Sequence, residues 1–319
     1  MIKPNKIKIN VLITGAAGNI GSALTAALLK RNYYYVIGVD NLTTGARYKL
    51  PANNESFSFI KADVNRYTEI SSIFYANRFD YVFHFAAVVG VQRTLANPLL
   101  VLDDIEGIKN ILSLSKNCGV KRVFYSSSSE VYGEPVSIPQ HEETTPLNSR
   151  LPYAIVKNLG EAYFRSFFLE HELSYTIFRF FNTYGPNQSE DFVVPRFLNA
   201  AQHNDPITIY GDGCQTRTFC YIDDNVDTMI NCLEKSLFVN DVMNVGSDIE
   251  HKIIDLAELV IHHTNSMSII KHLPPLKEGD MTRRKPDITK MKQVLNRPLI
   301  PLEEGILRLI ENNDGRIKE

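Results

Sequence analysis

Tyr153 and Lys157 stand four residues apart, directly behind Pro152. Proline suits the first position of a helix, and residues four apart on a helix share a face. A free tyrosine has a pKa of about 10 and is a poor base at neutral pH. An ammonium beside it stabilises the phenolate and lowers that value. The pair is therefore expected to take a proton from a substrate hydroxyl, Tyr153 as base and Lys157 tuning it. The spacing alone is common in proteins, so its meaning depends on what else the fold brings to it.

A second polar group follows an apolar run. Phe124-Tyr125 leads into Ser126-Ser127-Ser128-Ser129-Glu130. Ligands of open α/β sheets bind at the carboxyl ends of strands, which is where these residues fall if the run is a strand. Ser128 then shares the substrate hydroxyl with Tyr153, and Glu130 is a candidate catalytic carboxylate. The plainer alternatives are a polar loop for the serines and a structural hydrogen-bonding role for Glu130.

Near the amino end, Val11-Leu12-Ile13 runs into Thr14-Gly15-Ala16-Ala17-Gly18-Asn19-Ile20-Gly21. Glycines at this spacing, between a strand and a helix start, suit a dinucleotide pyrophosphate. Gly15 permits the turn, Gly18 the close approach of backbone, and Gly21 the contact of helix with sheet. Asn19 and Ile20 open the helix, whose free N–H groups face the phosphates. The next apolar run ends at Asp40-Asn41. A carboxylate there accepts both hydroxyls of an adenosine ribose and repels a 2′-phosphate, so the expected cofactor is NAD. Asp63 and Val64 follow the third run and are placed for the adenine. A solvated Asp63 is the plain alternative.

The elements that must position these groups alternate. Strands are expected at 7–13, 35–40, 56–61, 81–85, 122–126 and 175–179, and amphipathic helices at 20–31, 66–77, 98–117 and 152–172. Apolar strands alternating with helices imply a parallel sheet covered on both faces, and the right-handed crossover rule makes it doubly wound. The fold class is α/β, a Rossmann domain over 1–180 with a smaller α/β substrate domain over 181–319. A strand near 242–246 is expected to return to the first domain.

The 319 residues allow one large unit or two closely joined domains. A net charge of -2 gives no reason to expect a nucleic-acid partner. No apolar run reaches 18 residues and no signal peptide precedes the first strand, so a cytoplasmic protein without a membrane partner is expected. Cys118, Cys214, Cys220 and Cys232 form no paired motif, and His262-His263 lacks helical ligand spacing, so no metal site is expected.

Together these segments resemble the extended short-chain dehydrogenase/reductases that act on nucleotide-sugars. The resemblance rests on the glycine loop, Val39-Asp40-Asn41, His84-Phe85-Ala86-Ala87, Glu130-Val131-Tyr132-Gly133 and Tyr153–Lys157. It continues through Arg179–Pro186, Gly211-Asp212-Gly213, Arg217 and Glu278-Gly279-Asp280, nearly the whole chain. It implies that Ala86 and Ala87 flank the cofactor, that Lys157 also reaches its ribose, and that Ser128, Tyr153 and Lys157 are catalytic. It implies that Asn182 holds a diphosphate, Val193 lines the nucleotide pocket, Arg217 reaches a phosphate and Asp280 the ribose. Asp104 stands where epimerases of the family often carry asparagine near the sugar. Relatives often dimerise through two helices per subunit, here 98–117 and 152–172, and a homodimer is expected. The alternative is that those helices only cover the sheet.

Three reactions share a first step, oxidation at C4 of the sugar to a 4-ketone. The segments 42–50 and 87–91 resemble 4-epimerases, whereas Glu130 resembles dehydratases and decarboxylases. The expectation favours a UDP-sugar 4-epimerase, with a UDP-glucuronate decarboxylase or a nucleotide-sugar dehydratase as alternatives. A simple reductase would not need Asn182, Arg217 and Asp280, and a non-catalytic nucleotide-binding protein would not need both Tyr153 and Lys157.

Overall fold

The computed structural model describes residues 8–275 and 283–316. Strand and helix alternate through the first half: β1 (Ile9–Thr14), α1 (Asn19–Leu29), β2 (Tyr34–Asp40), β3 (Phe57–Lys61), α2 (Tyr67–Ala76), β4 (Tyr81–His84), α3 (Val91–Ala96), α4 (Pro98–Leu102), α5 (Asp104–Asn117), β5 (Arg122–Ser128), α6 (Pro152–His171) and β6 (Tyr175–Phe180). Shorter elements follow: β7 (Thr183–Tyr184), α7 (Val193–His203), β8 (Ile207–Tyr210), β9 (Thr216–Thr218), β10 (Cys220–Tyr221), α8 (Ile222–Glu234), β11 (Asp241–Val245), β12 (Glu250–Lys252), α9 (Ile253–Thr264), β13 (Ile270–Leu273), α10 (Thr289–Leu295) and α11 (Leu302–Arg316).

Seven parallel strands form the central sheet in the order β11-β6-β5-β4-β1-β2-β3. Successive residues of a strand point to opposite faces, and the core divides accordingly. Val11, Ile13, Val36, Phe83, Phe124 and Phe178 join one cluster with Leu24 of α1 and Met229 of α8. Leu12, Ile37, Val82, Val123, Tyr125 and Ile177 join the other with Ile70 of α2, Ile108 of α5 and Phe164 of α6. The inner strands are dry on both faces, which is why they read as unbroken apolar runs, whereas the edge strand β3 buries Phe57 and ends at the exposed Lys61. Each fully buried side chain of this size contributes roughly 1.5–3 kcal/mol. Three small two-stranded sheets, β10-β7, β12-β9 and β13-β8, lie outside the central one.

One feature departs from the sequence pattern. The single helix expected at 98–117 is two, α4 and α5, meeting at Asp103. The break falls where Asp104 turns its carboxylate inward to accept the Val88 N–H at 2.7 Å, a contact across sixteen residues that helical periodicity cannot register. The second half crosses back: β11 pairs with β6, and α8 packs on α1.

Candidate active site

The carboxyl ends of β1, β2, β4 and β5 open on a cavity of about 650 Å³, lined also by the start of α6 and by residues 182–196. The dinucleotide end is built from close approaches. Gly15 has φ +68° and lies so near the β4 loop that a Cβ would fall 2.6 Å from the Ala86 nitrogen. A Cβ on Gly21 would fall 2.2 Å from the Gly15 carbonyl oxygen. Neither position tolerates a side chain, so the loop can present bare backbone to a phosphate. Asp40 ends β2 and accepts hydrogen bonds from Ala17 N at 2.9 Å and Leu42 N at 2.8 Å. Burial pushes its carboxyl up, while these two N–H groups and the Lys49 ammonium hold it down. Gly18, Asn19, Ile20, Asn41, Asp63, Val64, Ala86 and Ala87 line the same cavity. The Asn19 side-chain oxygen is buried without a hydrogen-bond partner among the described residues. A glycine cradle, an acid at the strand end and an orphaned acceptor fit NAD.

At the centre, α6 brings Tyr153 and Lys157 to the end of β5. Pro152 occupies the first turn, where its missing N–H costs nothing. The Ser128 hydroxyl hydrogen-bonds the Tyr153 phenol and accepts the Glu130 N–H at 3.2 Å. Lys157 donates to the Ser126 carbonyl at 2.7 Å, and its Nζ stands 5.7 Å from the centre of the Tyr153 ring. The expected lowering of the phenol by Lys157 is not what these contacts produce. Burial, then the negative charges of Glu130 and Asp104, push Tyr153 up; Ser128 and Arg284 act against them. Burial brings Lys157 down to about 8, with Asp104 opposing. Behind them His84 is sealed in the core, bonded to the Thr14 hydroxyl at 2.8 Å, and burial and Lys157 bring it down to about 3. It is a neutral strut for β1 and β4.

Glu130 reaches the cavity from the short 3-10 turn Ser129–Tyr132. One carboxylate oxygen pairs with Arg284 at 2.8 Å. The other, Oε2, is buried with no partner among the described residues. The sequence does not single out Arg284. The signal for it is the basic run Arg283-Arg284-Lys285 before Pro286, an irregular stretch in which no periodicity marks one residue over another.

At the far end Asn182, Val193, Arg196 and Arg217 line the cavity. The Asn182 Nδ2 and Arg196 Nε are buried donors without partners among the described residues, suited to the oxygens of a diphosphate. Arg217 donates to the Thr216 carbonyl at 2.7 Å. Asp280 lies outside the described residues. Asp104 does line the cavity, and its Oδ2 is committed to the Val88 N–H. Among the described residues no cluster of His, Cys, Asp and Glu could hold a metal, and no helix is long and apolar enough to cross a membrane.

Comparison with known proteins places this geometry. Residues 11–246 match the model of the NAD dependent epimerase/dehydratase family. A UDP-N-acetyl-alpha-D-glucosaminuronate decarboxylase from Bacillus cytotoxicus is 35% identical over 96% of this chain and 98% of its own length. A UDP-glucose 4-epimerase from Thermotoga maritima, solved with UDP-glucose, superposes with a TM-score of 0.90 at 32% identity, over 97% of this chain and 100% of that one. A UDP-glucuronic acid 4-epimerase from Bacillus cereus, solved with UDP-glucuronic acid and NAD, gives 0.86 at 29% identity, over 96% and 100%. The chain is an enzyme of the NAD-dependent epimerase/dehydratase family.

Proposed function

We propose that this enzyme decarboxylates a UDP-linked uronic acid through a 4-keto intermediate. The observation that carries the reading is the Glu130–Arg284 pair at 2.8 Å, on the cavity wall beside Tyr153. A buried ion pair is costly to desolvate and gives weak net stability, so one at a cavity wall calls for a ligand. Arg284 offers a guanidinium to a substrate carboxylate, and a neutral hydroxymethyl group would not need it. The sequence expectation of 4-epimerisation rests on segments 42–50 and 87–91, with Glu130 pointing the other way, and the sequence does not show the Arg284 partner that adds weight to Glu130.

When bound, NAD supplies a hydride acceptor for C4 of the sugar and a positive charge near the phenol. Tyr153 takes the C4 hydroxyl proton while Ser128 holds that oxygen. The ketone then lies β to the C6 carboxylate. Glu130, an anion beside that carboxylate, favours its departure. The C5–C6 bond breaks, its electron pair enters the C4–oxygen enolate, and CO2 leaves. Once CO2 has left, Glu130 Oε2 takes a proton from water and passes it to C5, returning to the anion. Tyr153 then returns its proton to the C4 oxygen as the alcohol re-forms, for which bound cofactor would supply the hydride.

Further parts of the reading rest on separate observations. Asn182, Val193, Arg196 and Arg217 form the nucleotide end, with UDP favoured by the names of the relatives. Leu99, Ile155, Leu159 and Leu169 of α4 and α6 are exposed, and an apolar face of this kind supports a homodimer. The domain division at 180/181 and a cytoplasmic location, in keeping with four free cysteines, belong to the same proposal.

The test is incubation of the purified enzyme with UDP-glucuronate, UDP-N-acetylglucosaminuronate and UDP-glucose, with products read by NMR and gas release by trapping. A UDP-pentose or its acetamido counterpart with one CO2 per turnover is expected. A uronate epimerised at C4 with C6 retained would return the reading to 4-epimerisation.

A further inference from the structure

Glu130 sits on the 3-10 turn Ser129–Tyr132 and Arg284 on the irregular stretch before α10, so no single element fixes the distance between them. One buried side chain ties both segments. Asn244 of β11 is 0% exposed. Its Oδ1 accepts the Tyr132 hydroxyl at 2.8 Å, in the same turn as Glu130. Its Nδ2 donates to the Gln140 carbonyl at 2.9 Å and to the Asp287 carbonyl at 3.1 Å. Those carbonyls belong to a backbone bridge around Pro286 that carries Arg284. The Gln140 N–H donates to the Lys285 carbonyl at 2.7 Å, and the Asp287 N–H donates to the Gln140 carbonyl at 2.8 Å. The Asn244 amide therefore spends its acceptor on the Glu130 turn and its donors on the Arg284 segment. Its own backbone is held by the sheet, through the register partner Arg179 and the Glu142 carboxylate at 2.8 Å. Asparagine is a poor strand former, so its place inside β11 calls for a reason beyond the strand itself.

We propose that Asn244 is a positioning residue that clamps the Glu130 turn to the Arg284 segment and so sets the geometry of the second half of the reaction, in which CO2 leaves and C5 gains a proton. The proposal rests on the decarboxylation reading above. Asn244 does not line the cavity; it acts through Tyr132 and through the Gln140–Pro286 bridge. Proton delivery to C5 depends on where Glu130 Oε2 stands, and a displacement of about 1 Å can cost about 10²-fold. Oxidation at C4 depends on other supports. Tyr153 and Lys157 are carried by α6, and Ser128 ends β5. Loosening the clamp therefore spares the first half of the reaction and slows the second.

The experiment is a single turnover of the NAD-loaded enzyme with UDP-glucuronate, following cofactor reduction by absorbance and CO2 by trapping, in wild type, Asn244→Ala and Tyr132→Phe. Asn244→Ala should reduce the cofactor within about twofold of the wild-type rate and release CO2 about tenfold or more slowly, so that reduced cofactor builds up. Tyr132→Phe loses only a hydroxyl and should show the same split at about fivefold, the effect of one hydrogen bond. A merely structural role would slow both halves together. That outcome, or CO2 release at the wild-type rate in both variants, overturns the proposal. If Asn244→Ala melts early, Tyr132→Phe decides. Failure of the wider reading looks different. A wild type that releases no CO2 overturns decarboxylation, and the clamp is then judged by calorimetry with UDP-glucuronate against UDP. Asn244→Ala should still weaken UDP-glucuronate selectively, by about fivefold, and equal weakening of the two ligands overturns the clamp.

Discussion

Two carboxylate–guanidinium pairs lie at the end of β5, and they differ in what is left over. Glu161 of α6 and Arg179 of β6 are 0% and 1% exposed. Arg179 grips both carboxylate oxygens at 2.8 and 2.7 Å and donates also to Tyr132 and to the Glu142 carbonyl. Glu161 accepts further from Ser127 at 2.7 Å and Arg165 at 2.9 Å. Nothing in that network is unsatisfied; burial pushes the Glu161 carboxyl up, and its bonds to Arg179 and Ser127 with the charges of Arg179 and Arg165 together outweigh it and hold Glu161 low. Glu130 pairs with Arg284 at 2.8 Å, and its Oε2 has no partner among the described residues. The same pairing thus makes a strut where every carboxylate oxygen is taken and a site where one is left over.

Breaking the strut should produce the largest effect. Glu161→Ala leaves Arg179 buried without its anion, and a loss of about 3–5 kcal/mol is expected in urea unfolding. A midpoint near wild type would show that β5, α6 and β6 do not depend on this pair. Glu130→Gln should do the opposite. Stability stays within about 1 kcal/mol, while product formation falls by about 10²-fold or more, as for proton-transferring groups, with reduced cofactor accumulating at 340 nm. Full turnover in that variant would place Glu130 among the struts. Tyr153→Phe should lose about 10²–10⁴ in turnover with no reduced cofactor, since the first oxidation is blocked.

Lys157 sharpens the comparison from the cation's side. Its folded pKa lies at about 8, below the ordinary 10.5. Between those values the unfolded chain binds more protons, so wild-type stability should rise as pH climbs from 8 to 10.5. The cost of the buried ammonium is fully present below pH 8. Lys157→Met should remove that cost and flatten the rise, at the expense of activity. Its net gain at pH 7 is expected to be about 1–2 kcal/mol, because the Ser126 carbonyl loses a donor. A Lys157→Met variant less stable than wild type at pH 7 would show that the bond to Ser126 outweighs burial. Arg165→Ala should change least. Its side chain is 42% exposed, and such a pair is worth about 0.3–0.5 kcal/mol.

Much of the site was legible because its groups are local in sequence. The glycine loop, Asp40 at a strand end and the Tyr153–Lys157 spacing each follow from one element and its boundary. The strut was half legible: a charge such as Arg179 inside the apolar run Tyr175–Phe180 demands a partner, but nothing in the sequence points to Glu161 as that partner. Asp104 and Arg284 were not legible in their roles. The first depends on a backbone N–H sixteen residues away, the second on an irregular segment brought back to β5 from beyond β13. The expected tuning of Tyr153 by Lys157 came from spacing alone, whereas the phenol answers to burial, Glu130, Ser128, Asp104 and Arg284, which spacing does not reveal.

The pairing of β11 with β6 also bears on how the chain is made. The β6 edge is complete at Phe180, yet the strand that covers it ends at Val245, about 65 residues later. At the ribosome's roughly 5–20 residues per second, the bare edge is exposed for some 3–13 seconds of each synthesis. That edge is apolar on both faces and offers unpaired N–H and C=O groups to any neighbouring chain. A fragment ending at residue 180 should therefore aggregate rather than fold, and the nascent enzyme should be sensitive to chaperone supply during that interval alone.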